Sequence, residues 1–162
     1  IQRALDAYQV EGHRGAVVHS AGGVEWVDNS KATNPHAADS ALTGAGTVVW
    51  VAGGQLKGAS VDAVVKAHAD QFRAVALLGV DRELIRTSVE QVVPDVPVFT
   101  SDSSDPEQAM DDVVAWAATQ AQPGDTVLLA PAAASLDMFS GMSARGDTFA
   151  AAAMRHWNPH NK

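Results

Sequence analysis

The sequence contains no cysteine, which excludes disulfide bonds and thiolate metal ligands. It is also poor in basic residues: 11 Lys and Arg stand against 19 Asp and Glu, for a formal net charge of -8. Because binding along a nucleic-acid backbone needs a basic surface, this balance argues against nucleic acid as a partner. No apolar run approaches the roughly 20 residues that span a bilayer, and no signal peptide is recognisable. We therefore expect no membrane partner and a cytoplasmic location.

Several catalytic patterns are missing as well. No G-x-x-x-x-G-K-[ST] loop is present, which excludes a nucleotide P-loop within these residues. No G-x-G-x-x-G string follows the first predicted strand, which argues against a Rossmann-type dehydrogenase. No G-x-S-x-G elbow occurs, and the six histidines form no zinc-binding motif. We predict neither a serine hydrolase nor a metal-binding residue.

What is present is the pattern of one α/β domain. The 162 residues suit a single domain, and 46% of them are hydrophobic, the normal share for a globular protein. Short apolar runs alternate with Ala-rich amphipathic stretches. Predicted strands cover residues 16–19, 24–28, 47–52, 74–78, 96–100 and 126–130, and predicted helices cover residues 1–8, 35–43, 60–72, 81–92, 105–121 and about 148–156. This order predicts an α/β, Rossmann-like fold: a mostly parallel sheet with helices on both faces and an N-terminal antiparallel hairpin.

The two ends of the chain differ from its middle. The chain begins with Ile rather than Met, and we expect it to be part of a longer protein. We assign residues 1–11 to a linker helix or the end of a preceding domain, residues 12–156 to the domain itself, and residues 157–162 to a frayed tail.

Three polar segments each follow a predicted strand: residues 28–34 (DNSKATN), 53–58 (GGQLKG) and 131–137 (PAAASLD). Ligands of open parallel sheets bind at the carboxyl ends of the strands, and helix N-termini there favour anions. Taken singly, each segment fits an ordinary helix cap or turn better than a binding site. Taken together, they predict an anion pocket at one edge of the sheet.

The order of these strings resembles one family. The strings are GHR at residues 12–14, SKATN at 30–34, GG-x-x-KG at 53–58, P-AAA-SLD-x-F at 131–139 and RG followed by Phe149. They are similar to the C-terminal domain of the D-glutamate-adding ligases of the Mur ligase family, over residues 12 to about 154. The SKATN string is the most specific of them.

The resemblance implies a reaction. The full enzymes of this kind use ATP and Mg²⁺ to join D-glutamate to UDP-MurNAc-L-alanine during peptidoglycan precursor synthesis. The substrate carboxylate becomes an acyl phosphate, which the amine of D-glutamate attacks. By this resemblance the partners are D-glutamate, UDP-MurNAc-L-alanine, ATP and the N-terminal and central domains of the same enzyme. ATP and Mg²⁺ are bound mainly by the central domain, and the isolated domain needs no cofactor of its own.

The resemblance also implies residue roles. Thr33 and Lys57 would bind the side-chain carboxylate of D-glutamate, and Ser135, with Leu136 and nearby backbone N–H groups, would bind its α-carboxylate. Lys31 would line the same pocket and act as the catalytic residue that stabilises phosphate or acyl-phosphate charge. Fixed cations and donors at strand ends suit a dianionic amino acid.

Arg14 would contact the phosphates of ATP, and Asp28 with Asn29 would face the nucleotide ribose. The family usually has Asp where Asn29 stands, Glu where Ala16 stands, and an aromatic residue where Met142 stands. The departure at Asn29 weakens the ribose assignment.

Two hypotheses stay open at this point. The first is the ligase domain, which alone would be inactive because phosphoryl transfer needs a phosphate cradle and Mg²⁺ ligands. The second is a stand-alone α/β module that binds a small anionic ligand or a nucleotide. Sequence upstream of Ile1 encoding a P-loop domain would favour the first.

Overall fold

The computed structural model describes residues 15–135 and 138–156, and the fold below concerns those residues. They form six strands and five α-helices with one short 3₁₀ turn. The strands are β1 Ala16–Ala21, β2 Val24–Asp28, β3 Val48–Ala52, β4 Phe72–Leu77, β5 Val98–Thr100 and β6 Thr126–Leu129. The helices are α1 Pro35–Leu42, α2 Asp62–Ala67, α3 Arg82–Val92, α4 Pro106–Gln120 and α5 Met142–His156, and the 3₁₀ turn is Ala69–Gln71.

The six strands form one sheet in the order β1-β2-β6-β3-β4-β5. Only β1 and β2 pair antiparallel, across a turn at Gly22 and Gly23, and every other neighbouring pair is parallel. The predicted α/β class, the mostly parallel sheet and the opening hairpin are therefore confirmed. Because β2, β6 and β3 are adjacent and parallel, the loops that follow them lie side by side at one edge.

Helices cover both faces of the sheet. One apolar cluster packs α4 and α5 against side chains such as Trp26 and Val49, and Trp26 lies 6.1 Å from Phe149 between ring centroids. The other cluster packs α1, α2 and α3 against side chains such as Trp50, which stacks on Phe72. Strand β3 is buried along its whole length, which is why it reads as a continuous apolar run in the sequence.

Local capping explains where two helices begin. Asn34 accepts a hydrogen bond from the Ala37 N–H, and Pro35 follows at the first helical position, as the sequence predicted. Asp105 accepts from the Gln108 N–H ahead of Pro106 in the same way. None of the helices in the described part of the chain is long and apolar enough to cross a membrane.

Two helix boundaries differ from the sequence prediction by five residues or more. The helix predicted over residues 60–72 ends at Ala67, because Phe72 is drawn into β4 beside Val48, where it is buried. The last helix begins at Met142, before the predicted position near Thr148. The prediction failed there because Gly146 weakens helix propensity, whereas burial of this helix against the sheet compensates for it. The predicted helix over residues 1–8 and the tail over 157–162 lie outside the described residues.

Candidate functional site

The candidate site is the sheet edge at which β2, β6 and β3 end. The loop after β2 carries Lys31 and Thr33, the loop after β3 carries Lys57, and the loop after β6 carries Ser135. Two of the eight residues predicted for the site, Arg14 and Leu136, lie outside the described residues.

The loop after β2 turns on Asp28 and Ser30. The Ser30 N–H donates to Asp28 Oδ1 at 2.9 Å, and the Asn29 N–H donates to the Leu129 carbonyl of β6 at 2.9 Å. Asp28 is only 1% exposed, whereas Asn29 is half-buried and so the more accessible of the two. Lys31, which follows this turn, is also half-buried. The loop is thus held rigidly against β6 while a cationic side chain stays within reach of solvent.

The loop after β3 approaches its neighbours so closely that only glycine fits. A Cβ at Gly53 would lie 1.8 Å from the Leu78 carbonyl oxygen, and a Cβ at Gly54 would lie 2.2 Å from the Ala134 carbonyl oxygen. Lys57 is exposed and adopts a φ of 55°, in the left-handed region. This backbone course turns the chain sharply and leaves the Lys57 ammonium at the surface.

The three loops are joined by backbone hydrogen bonds. Gln55 and Ala134 exchange two N–H···O bonds of 2.9 Å, which tie the loop after β3 to the loop after β6. The Ala132 N–H donates to the Ala32 carbonyl at 2.9 Å, which ties the loop after β6 to the loop after β2. The segments predicted separately from the sequence therefore form one continuous surface.

A fourth loop, which follows β4, supports the loop after β3. The Asp81 carboxylate, just before α3, accepts from the Leu56 N–H at 2.7 Å, and the Asp81 N–H donates to the Gly54 carbonyl at 3.0 Å. Leu56 immediately precedes Lys57, so Asp81 helps to fix the Lys57 backbone. Sequence analysis did not select Asp81, because its partners lie 25 residues or more away.

Arg145 is a buried cation at the site. It lies on α5, is 1% exposed, and donates to the Ser30 hydroxyl, the Ser30 carbonyl and the Ala133 carbonyl. The sequence analysis noted Arg145 only as part of a family string and gave it no role. The sequence places Arg145 on the apolar side of an Ala-rich helix. This position could have indicated a role, because a buried charge needs hydrogen-bond partners.

The resolved pKa shifts lie on ion pairs remote from these loops. A hydrogen bond from Arg155, together with one from His156, lowers the pKa of Asp111 on α4. A hydrogen bond to Asp125, before β6, raises the pKa of Arg73. These pairs fasten helices and turns, and they offer no acid or base at the candidate site.

A cleft of about 400 Å³ opens beside the loop after β2, between that loop and α1. Its lining includes Asn29, Lys31 and His36. Within residues 15–135 and 138–156, no group of three or more His, Cys, Asp or Glu side chains could hold a metal ion. The described edge thus supplies cations, hydroxyls and backbone N–H groups, which is the chemistry of anion binding.

The fold and this edge define an α/β domain whose parallel strands end in loops with groups suited to an anion. The chain belongs to the Mur ligase family: residues 13–133 match the family's sequence profile described as "Mur ligase, glutamate ligase domain".

Relatives with high identity extend over nearly the whole chain. The UDP-N-acetylmuramoylalanine–D-glutamate ligase of Corynebacterium diphtheriae is 56% identical over 156 residues, which cover 96% of this chain and 33% of that protein. The ligase of the same name from Corynebacterium jeikeium is 57% identical over 150 residues, covering 93% of this chain and 30% of that protein. The chain thus spans about a third of the length of these curated relatives.

A solved structure supports the fold. The UDP-N-acetylmuramate-alanine ligase MurC from Thermotoga maritima superposes with a TM-score of 0.56 over 89% of this chain and 30% of that chain. The sequence identity is 11%, so this likeness shows a shared fold alone.

Proposed function

We propose that this chain is the C-terminal, amino-acid-binding domain of a UDP-N-acetylmuramoylalanine–D-glutamate ligase. The observation that carries the proposal is the joining of three loops, after β2, β3 and β6, into one surface by backbone hydrogen bonds. The family membership and the named relatives support the assignment of that surface to D-glutamate. Because the chain belongs to this ligase family, we favour the ligase domain over the stand-alone α/β binding module.

The proposed D-glutamate site uses both ends of the ligand. Thr33 and Lys57 bind the side-chain carboxylate, and Ser135 with Leu136 binds the α-carboxylate. A support for the first pair is the exposure of Lys57, whose ammonium forms no hydrogen bond or ion pair with the described residues. The second pair is supported by the small side chains of the loop after β6. The buried alanines there allow the backbone to approach a ligand closely.

The chemistry is phosphoryl transfer followed by amide formation. The carboxylate oxygen of UDP-MurNAc-L-alanine takes the γ-phosphoryl group of ATP, which leaves ADP and an acyl phosphate. The amine of D-glutamate then attacks the acyl carbon, loses a proton, and expels inorganic phosphate. We assign Lys31 to the catalytic role of stabilising the phosphate and acyl-phosphate charge, since it lies at the joined edge.

We assign the nucleotide contacts to Arg14 for the ATP phosphates and to Asp28 with Asn29 for the ribose. The accessibility of Asn29 beside the cleft favours it over the buried Asp28. We place Mg²⁺ with ATP mainly in the central domain, and no step is assigned to that ion on this chain, since the described residues contain no group of three or more His, Cys, Asp or Glu side chains that could hold a metal. The proposed enzyme works in the cytoplasm with its N-terminal and central domains.

Phosphate release tests the proposal. The intact protein, given ATP, Mg²⁺ and UDP-MurNAc-L-alanine, should release phosphate on addition of D-glutamate and much more slowly with L-glutamate or D-alanine. Equal rates with all three amino acids would contradict the assignment of this surface to D-glutamate. The 162-residue chain alone should release none, because it contains no P-loop.

A further inference from the structure

The guanidinium of Arg145 is buried at the candidate site. Arg145 is 1% exposed, although arginine is rarely buried so fully. Burial of a charge is costly unless hydrogen bonds replace its water. Its burial beneath the candidate site therefore indicates that its contacts matter to the loops it binds.

The contacts of Arg145 join two loops that are distant in sequence. Nε donates to Ser30 Oγ at 3.0 Å and Nη2 donates to the Ser30 carbonyl at 2.8 Å. Nη1 donates to the Ala133 carbonyl at 3.0 Å. The guanidinium is planar and rigid, so bonds from three of its nitrogens fix the loop after β2 relative to the loop after β6.

Ser30 completes this arrangement. Its hydroxyl accepts from Arg145 and donates to the Met142 carbonyl at 2.6 Å, at the start of α5. Its N–H donates to Asp28, so both polar ends of the residue are held. The next residue along the chain is Lys31, so the backbone that leads into Lys31 is fixed by these hydrogen bonds.

The same contacts bear on the other half of the site. Ala133 lies two residues before Ser135, so Arg145 binds both the loop after β2 and the loop after β6. The Ala132–Ala32 backbone bond joins these loops independently of any side chain. Loss of the guanidinium should thus loosen the spacing between the loops without separating them.

We propose that Arg145 is a positioning residue that sets the spacing between the Lys31–Thr33 loop and the Ser135 loop for binding of D-glutamate. This inference rests on the proposed function, because it concerns the geometry of that same site. Arg145 acts through Ser30 and Ala133 and does not itself contact the ligand.

Arg145→Lys in the intact ligase is the main test. Lysine keeps the charge but cannot reproduce the fork, so we expect the KM for D-glutamate to rise about 10-fold or more, since small misplacements of binding groups are costly. The KM values for ATP and for UDP-MurNAc-L-alanine should stay within about 2-fold. Arg155→Lys, at an exposed position on the same helix, is the matched control and should change none of them.

Ser30→Ala is the second variant. It removes the hydroxyl between Arg145 and Met142 and leaves both carbonyl contacts of Arg145 in place. We expect a smaller rise in the KM for D-glutamate, about 3-fold. The double variant, Ser30→Ala with Arg145→Lys, should raise this KM by less than the product of the two single rises, because the two residues share one hydrogen-bond network. If Arg145→Lys does not fold, Ser30→Ala decides the question by the same KM comparison.

The outcomes are distinguishable. A lower melting temperature with an unchanged KM for D-glutamate would reduce Arg145 to a structural residue and overturn the inference. Equal rises in all three KM values would overturn it as well, since they indicate a general loss of structure. A parent enzyme inactive with D-glutamate would instead overturn the proposed function on which the inference rests.

Discussion

The two ends of the parallel sheet each bury a charged side chain, and the two side chains bind different parts of the molecule. At the amino end, Asp125 is buried and accepts from Arg73 at 2.8 and 3.1 Å and from the Gln122 N–H at 2.9 Å. At the carboxyl end, Arg145 is buried and its three described bonds go to uncharged oxygens of Ser30 and Ala133. At the amino end the buried charge thus fastens a turn to a strand, whereas at the carboxyl end the buried cation binds the backbone of two loops of the candidate site.

This difference shows how a fold separates stability from ligand binding. The Asp125 carboxylate binds Arg73 and the Gln122 N–H, so it is not available to a ligand. It fastens the turn before β6 to β4. An exposed lysine such as Lys57 contributes little to stability and remains available to a carboxylate. Substitutions of charged side chains at the amino end should therefore change stability, and substitutions of exposed charged side chains at the carboxyl end should change binding.

The largest expected effect is on the carboxyl end. Lys57→Ala in the intact ligase should raise the KM for D-glutamate about 100-fold, because loss of a charged partner costs roughly 2–3 kcal/mol. The KM for the UDP substrate should remain nearly unchanged. Lys66→Ala, at an exposed lysine on α2, is the control in steady-state assays. An unaltered KM for D-glutamate in Lys57→Ala would remove Lys57 from the site.

Gly54→Ala tests whether the close approach of two loops is required. The added Cβ would lie 2.2 Å from the Ala134 carbonyl oxygen, so we expect a loss of about 2–4 kcal/mol in the free energy of unfolding. Gly58 also has a positive φ, 85° against 136° at Gly54, but a Cβ there meets no atom within 4 Å, so Gly58→Ala should cost only about 1 kcal/mol. Urea unfolding of both variants measures the difference, and equal losses would mean that the clash is absorbed.

Asp125→Asn tests the amino end. It removes the charge that binds Arg73, and we expect a loss of about 1–2 kcal/mol, moderated by the partial exposure of Arg73. The KM for D-glutamate should stay within about 2-fold. Glu90→Gln, which breaks the exposed pair with Arg86, should cost at most about 0.5 kcal/mol. A rise in the KM for D-glutamate in Asp125→Asn would contradict the idea that charged residues at the amino end affect stability and not binding.

The smallest effect concerns acid pH. The hydrogen bond from Arg155 lowers the pKa of Asp111 in the folded state, so its carboxylate stabilises the fold above the unfolded pKa of about 4. That contribution should disappear as the pH falls through the lower folded value. Asp111→Asn should therefore be less stable than the parent at about pH 7, and the gap should be smaller at about pH 3, below the unfolded pKa. A gap that is equal at both pH values would contradict the shift.

Some features of the fold were predictable because their causes are local. The caps at Asn34 and Asp105, each followed by proline, act within one helical turn, and both helices begin where the sequence indicates. The end of α2 was predicted wrongly, because burial of Phe72 beside Val48 depends on contacts 24 residues away. The roles of the individual site residues remain predictions from family resemblance.

The sequence by itself determined the α/β class, the hairpin and the three polar segments that follow strands. Periodicity, capping and turn residues act between near neighbours, and these are written directly in the order of residues. Only the tertiary structure decided that β6 lies between β2 and β3, which makes the three segments one surface. It alone also gave Arg145 its place between Ser30 and Ala133, because those bonds span 115 and 12 residues of chain. Contacts of that range depend on how the sheet is ordered and packed, which no local pattern specifies.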